Sequence, residues 1–239
     1  MHFVADKILE AYGDQLDFVF LELLDIENPK IENLYSLREY YYLTPALYFK
    51  TLAVLYDQKY KKAESRIRTA KIYTQLFIQG FLNIGTMETF LSRKNEFFQD
   101  GKVGVSGFLP IDLDSNFERK RNMLFKDTLV LEERKLDAIK HIQEEYPNDK
   151  LTAWYVDYIE KAKAKGVHVV VVMAPRITQY VMSTYNDLPP QHKIRVSDPI
   201  KYPELYLVEN SADAGHLNAA GARIFTREVA RAFNQLNLD

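Results

Sequence analysis

The run "KLTAWYVDYIEKAKAKGVHVVVVMAP" (150–175) decides the fold. Its first part has helical periodicity, with Asn148 or Asp149 placed as the cap and Gly166 as the stop. The "VHVVVVMAP" after it is a continuous apolar run of strand length. A strand that does not alternate is buried on both faces, as strands of parallel sheets are. A helix that ends in glycine and feeds such a strand is half of a parallel α/β layer.

A second run of this kind, "LDFVFLELL" (16–24), lies toward the N-terminus and is likewise expected to be buried on both faces. Before it, "MHFVADKILEAYG" (1–13) has apolar residues at helical spacing, and Gly13 stands as a stop. Ser36 and Glu39 form a capping box opening a helix through the tyrosines, interrupted at Thr44 and Pro45. From about 46 to 145 the periodicity is mainly helical, broken by "QDGKVGVSGFLP" (99–110). With no repeat and no flexible linker, this region reads as a helical insertion or elaborated connection within a single domain of 239 residues. Beyond 175, a loop with Pro189, Pro190, Pro199 and Pro203 leads to a short strand expected at "ELYLVE" (204–209). A terminal helix comes last, with Ala222, Phe225, Val229 and Phe233 on one face.

Composition narrows the function classes. Hydrophobic residues at 47% and charged residues at 27% describe a globular chain rather than a disordered one. Lys+Arg 31 against Asp+Glu 33 gives a net charge of -2, so no overall field recruits nucleic acid or an anionic membrane, and membrane contact is expected only through a missing N-terminal segment. Without cysteine there is no disulfide, no thiolate nucleophile and no cysteine-bound metal. His2, His141, His168 and His192 lack partners at metal-ligand spacing, so neither metal nor cofactor is expected. His168 reads as a satisfied core or edge residue and the other three as solvated. The basic run "KYKKAESRIRTAK" (59–71) reads as a solvated helix face. The start is not a secretory signal, and no run reaches the ~18 apolar residues of a membrane span.

The candidate chemistry sits in "SADAGHLNAAGARIFTREVARAFN" (211–234). Asp213 stands three positions before His216, and Gly215 eases the turn that would join them. In nucleophilic hydrolysis, a histidine takes a proton from a serine while a carboxylate on its other nitrogen fixes the tautomer. The alternative is an aspartate capping the helix beside a surface histidine.

The longer string "DAGHLNAAGARIFTREVA" resembles the final sequence block of the SGNH/GDSL hydrolase superfamily, particularly its cell-envelope acyltransferase-like branch. Asp213, His216, Leu217, Asn218, Gly221, Ala222, Phe225 and Thr226 match that block. "YIEKAKAKGVHVVVVMAPR" is similar to the branch's penultimate helix and strand, and "LDFVFLELLDIENP" with "REYYYLTP" to its middle strand and the segment after it. The likeness covers about half of the chain. It implies a three-layer, flavodoxin-like parallel sheet, with His216 as general base and Asp213 as its orienter. Asn28 or Asp25 would stand near the family's oxyanion asparagine, the role being carried to Asn28. Arg176, just past the "VVVVMAP" run, is placed to face the same cleft as His216 and hold an anionic or polar substrate, or else is structural. An acyl ester or carbohydrate substrate and a place at the cell envelope are implied by the resemblance alone.

The family's serine block is missing. "YGDQL" (12–16) has Gln15 at the serine position and comes after a helix where a strand is required. Ser106 lacks the Gly-x-Ser-x-Gly elbow and reads as a loop serine, and Ser211 is too close in sequence to Asp213 to reach the far side of the imidazole. In flavodoxin-like order the serine strand is central. A chain without it is N-terminally incomplete and leaves "DFVFLEL" with an unpaired apolar edge. Either upstream residues are lost, with the serine and a membrane anchor, or another chain covers the edge; the first is the expectation. Two functions are then open: a serine-type ester hydrolase or O-acyltransferase whose serine lies outside this chain, or an inactive relative binding a polysaccharide or protein partner.

Overall fold

The computed structural model describes residues 2–26, 43–82, 115–141, 146–175 and 179–236. Its centre is a three-stranded parallel sheet in the order β1-β2-β3. The strands are β1 (Phe18–Glu22), β2 (His168–Met173) and β3 (Lys193–Arg195). Phe18 pairs with His168 and Glu22 with Val172, while Val171 pairs with Lys193 and Met173 with Arg195.

The helices, in chain order, are α1 (His2–Tyr12), α2 (Pro45–Asp57), α3 (Ala63–Phe81) and α4 (Ser115–Lys126). They continue with α5 (Leu129–His141), α6 (Asp149–Lys163), α7 (Met182–Asp187) and α8 (Ala219–Phe233). Within 46–145 the described residues are mainly helical, as α2 to α5, while 83–114, with the break expected at 99–110, and 142–145 lie outside the described residues. Thr44 caps α2 by accepting from the Leu47 amide, and Pro45 opens it, where its missing N–H has no helical partner to lose.

The stretch that decided the fold forms as read. Asn148 caps α6 by accepting from the Leu151 amide at 3.0 Å, and Gly166 leaves the helix with φ at 76°, a conformation glycine adopts without cost. β2 then sends Val169, Val171 and Met173 to one face and Val170 and Val172 to the other. The first set packs with Leu21 and Leu23 against Tyr155, Ile159 and Ala162 of α6 and Ala5 and Leu9 of α1. The second packs with Ile194 against Phe225, Val229 and Phe233 of α8. Helices thus cover both faces of a parallel sheet, as its apolar strands require.

β1 departs from expectation. Among the described residues it ends the sheet, and Phe18 and Phe20 on its α8 side are 40% and 50% exposed. Its other face is closed, with Leu21 buried. The reason is one-sided covering: Phe233 of α8 reaches the rings of Phe18 and Phe20, at 5.1 and 5.3 Å between centroids, from one flank only. The strand is buried on one face rather than both, and among the described residues no strand pairs with its outer edge.

Two further readings are corrected. Residues 204–209 do not form a strand; Pro203–Tyr206 and Val208–Asn210 are 3-10 turns closed by local bonds such as Leu207 N–H to the Glu204 carbonyl. Pro203 presets φ for the first of them. His192 is not solvated: it is buried, stacks on His168 at 4.5 Å, and its Nδ1 lies 2.7 Å from the Val169 carbonyl. His168 is satisfied, as read, with Nε2 3.1 Å from the Gln191 carbonyl.

Candidate catalytic dyad

The loop between the last 3-10 turn and α8 is folded by its own backbone. Ser211 and Leu217 form an antiparallel bridge, and the Ala212 amide donates to the His216 carbonyl at 2.9 Å. The turn between them is shaped by Asp213, whose Oδ1 accepts from the amides of Gly215 (2.7 Å) and His216 (2.8 Å). This is the local bonding that makes short acidic side chains turn formers. Asn218 then takes over as the cap of α8, accepting from the Gly221 amide at 3.0 Å. Asp213 does not cap the helix, so that alternative is set aside.

The same carboxylate holds the imidazole. His216 Nδ1 lies 2.8 Å from Asp213 Oδ1 and 3.0 Å from Oδ2. An ionised carboxylate only accepts, so Nδ1 carries the proton and donates it. In the neutral ring Nε2 is then the basic nitrogen, the tautomer needed to deprotonate a hydroxyl. Asp213 is buried whereas the His216 ring is half exposed. Burial pushes the Asp213 pKa up, but the bonds from the His216 ring and the Gly215 and His216 amides outweigh it, holding the carboxyl below its ordinary value of 3.8.

That shift fixes a pH dependence. A carboxyl whose pKa is lowered by folding contributes stability that is fully present above its unfolded pKa and lost as pH falls through the folded one. The chain is therefore expected to lose stability in acid below about pH 4, and Asp213→Asn to lose less over the same interval. Thermal melts of the two chains between neutral pH and pH 3 check this; parallel curves would contradict it.

The dyad lies at the carboxyl end of the sheet, where ligands of open parallel sheets bind. α8 places Phe233 beside Phe18, near the amino end of β1, so the start of α8 lies toward the carboxyl end of that strand. Glu22, on the same face of β1 as Phe18 and Phe20, is electrostatically coupled to His216. Desolvation pushes the Glu22 pKa up, and the His216 charge opposes this. Sequence reading missed Glu22. Its signal was the two-residue period from Phe18 through Phe20, which sends it to the face of the terminal helix.

Gly215 does not have the role expected of it. Its φ is not positive, and an added Cβ would sit 3.5 Å from Asp213 Oδ1, an ordinary contact. The glycine the geometry requires is Gly221, where a Cβ would fall 2.2 Å from the Asn210 carbonyl oxygen.

Asp25, weighed beside Asn28 for the oxyanion neighbourhood, is committed elsewhere. Its carboxylate is fully enclosed and accepts from Lys61 Nζ (2.7 Å), Gln58 Nε2 (2.6 Å) and the Tyr60 hydroxyl (3.1 Å). Being acceptor-only, it cannot serve an oxyanion. Ser211 is buried and donates its hydroxyl to the Leu207 carbonyl at 2.6 Å, and Gln15 closes a 3-10 turn between α1 and β1. Asn28, Arg176 and Ser106 lie outside the described residues, as do Ser36 and Glu39. Among the described residues, no cluster of histidine and acidic side chains could hold a metal ion, and no helix is long and apolar enough to cross a membrane.

Set against protein-family models, curated proteins and solved structures, the chain matches none of them. The chemistry open to the site therefore rests on its own geometry.

Proposed function

We propose that the chain carries the base half of an SGNH-like serine ester hydrolase or O-acyltransferase on a flavodoxin-like sheet. The observation that carries the reading is the bidentate approach of His216 Nδ1 to a buried carboxylate at the carboxyl end of a parallel sheet. In this reading a serine from outside residues 1–239 attacks the acyl carbonyl while His216 Nε2 takes its proton. The tetrahedral intermediate then collapses, and the departing alkoxide takes that proton from the imidazolium. Water, or the hydroxyl of a cell-surface sugar, resolves the acyl-serine by the same steps in reverse. Asp213 stabilises the imidazolium and keeps the ring oriented. Asn28 is the candidate oxyanion donor, and Arg176 the candidate contact to a polar substrate.

The outer edge of β1, unpaired among the described residues, supports this placement of the nucleophile. A further parallel strand hydrogen-bonded there would make β1 internal and would end at the level of Glu22, beside the dyad. It would also cover Phe18 and Phe20.

A fluorophosphonate probe, which labels activated serines, tests the proposal on the chain alone and on the longest product of its gene. Labelling only in a longer product, lost in His216→Ala, is the expected result. Serine labelling of the 239-residue chain, for instance at Ser106, would overturn the placement of the nucleophile. Absence of labelling in both would leave the second function, a binder of polysaccharide or protein that keeps the cleft.

A further inference from the structure

Residues 58–82 hold Lys59, Lys61, Lys62, Arg66, Arg68 and Lys71 against Glu64 as the only acid, in a chain whose net charge is -2. Two of the cations are used internally, Lys61 on Asp25 and Arg66 on the Tyr56 carbonyl at 2.8 Å. Lys59, Lys62, Arg68 and Lys71 form no ion pair among the described residues. Beyond Lys71, residues 72–82 carry no charge.

The helices here present apolar side chains outward as well. On α3, Ile67, Lys71, Gln75, Ile78 and Leu82 are exposed at the three- and four-residue spacing of one helix face. Phe81, at its end, is 72% exposed, and Tyr56, at the end of α2, is 79% exposed. Between the helices, Leu52, Ile67, Ala70, Thr74 and Ile78 line an open groove of about 540 Å³. The basic run expected to be a solvated helix face is solvated at Lys59, Lys62, Arg68 and Lys71 but not at Lys61, which is mostly enclosed on Asp25, and the exposed face continues into an apolar one.

We propose that this α2–α3 face docks on the surface of an anionic phospholipid bilayer. The unpaired cations near the start of α3 meet headgroup phosphates, while Phe81, Leu82 and Ile78 enter the boundary between headgroups and acyl chains. Charge complementarity selects this occupant: Lys59, Lys62, Arg68 and Lys71 stand against Glu64 alone and match an anionic surface, and parallel pairing of two copies of α3 would set these cations against their own equivalents. The uncharged second half of α3 selects it over nucleic acid, whose phosphates run the length of any groove that holds them. The face is separate from the dyad, so the inference does not rest on the enzymatic reading.

The test is co-sedimentation of the 239-residue chain with vesicles of phosphatidylcholine alone or mixed with phosphatidylglycerol. Binding to the anionic vesicles is expected to exceed binding to the neutral ones by at least about tenfold, and to fall at about 0.5 M salt, where screening is strong. The double variant Arg68→Glu, Lys71→Glu is expected to lose about tenfold or more of it. Phe81→Ser should weaken binding without removing its salt dependence. All three positions are exposed, and Lys59→Glu with Lys62→Glu gives a second charge reversal should the first pair unfold the helix. Equal binding to both vesicle types, or binding indifferent to both charge reversals, would overturn the proposal. So would a concentration-dependent dimer dispersed by Phe81→Asp, which would give the face to a second copy, or retention on single-stranded DNA in place of vesicles.

Discussion

Replacing Asp25 by alanine is expected to destabilise the chain by about 3–5 kcal/mol, the cost of removing one partner from a buried ion pair. The carboxylate has no solvent exposure and gathers four donors: Lys61 Nζ, Gln58 Nε2, the Tyr60 hydroxyl and the Ile26 amide. These come from the end of β1 and from the turn between α2 and α3, so one side chain ties the sheet to the helical region. Truncation removes the counter-charge of a mostly enclosed ammonium and the acceptor of the Tyr60 hydroxyl, leaving Lys61 and Gln58 only the Ile26 carbonyl, at 3.1 and 2.9 Å. The hydroxyl keeps its desolvation cost without its bond, and the ammonium keeps its charge without a counter-ion. Tyr60 also links the cluster to the α6 cap, through Asn148 Nδ2 at 3.4 Å, and stacks on Tyr180 at 5.1 Å. Urea unfolding measures the loss, and Lys61→Met in the Asp25→Ala background should recover part of it. A single-variant change under about 1 kcal/mol would mean that the enclosure opens to water, contrary to the buried-pair account.

The second large effect is expected at Gly221. Besides meeting the Asn210 oxygen at 2.2 Å, an alanine Cβ would lie 3.2 Å from the Asn210 carbonyl carbon and 3.0 Å from Leu217 Cδ2. The backbone cannot yield cheaply, because the Asn210 carbonyl accepts from the Asn218 amide at 3.1 Å while the Gly221 amide donates to the Asn218 side chain. Moving either one loosens the cap of α8 and the loop that holds Asp213 against His216. Gly221→Ala is expected to cost about 3 kcal/mol, at the upper end of overpacking penalties, and to impair the dyad as well. Gly215→Ala, two residues beyond Asp213, should cost under about 1 kcal/mol, since its Cβ meets only an ordinary contact. Comparable losses at the two glycines would contradict this assignment of strain.

Which parts of the molecule were legible in the sequence depends on how local their causes are. The unit from Asn148 to Met173 was readable because its cap, helix period, glycine stop and strand lie in one continuous run. The Asp213 turn was readable for the same reason, as its partners are two and three residues away. β3 was not seen: Lys193–Arg195 is too short for any period to emerge, and it is a strand only because β2 lies beside it. Residues 204–209 carry the apolar content of a strand, yet Pro203 and local bonds turn them instead, while Leu205 and Tyr206 still reach the core. The buried state of His192 depends on a strand 23 residues away in sequence, and the enclosure of Asp25 on groups 33 to 36 residues away. Such long-range satisfaction of polar groups leaves no mark in a local pattern. The exchange of roles between Gly215 and Gly221 has the same origin, since the first was argued from its neighbours and the second is fixed by a contact across the loop.

The central claim is that Asp213 sets His216 up as a base at the carboxyl edge of the sheet, and nitrogen-15 NMR of the imidazole tests it most directly. The neutral ring is expected to carry its proton on Nδ1, with a downfield Hδ1 signal that disappears in Asp213→Ala. A ring protonated on Nε2, with shifts unchanged by Asp213→Ala, would contradict the claim.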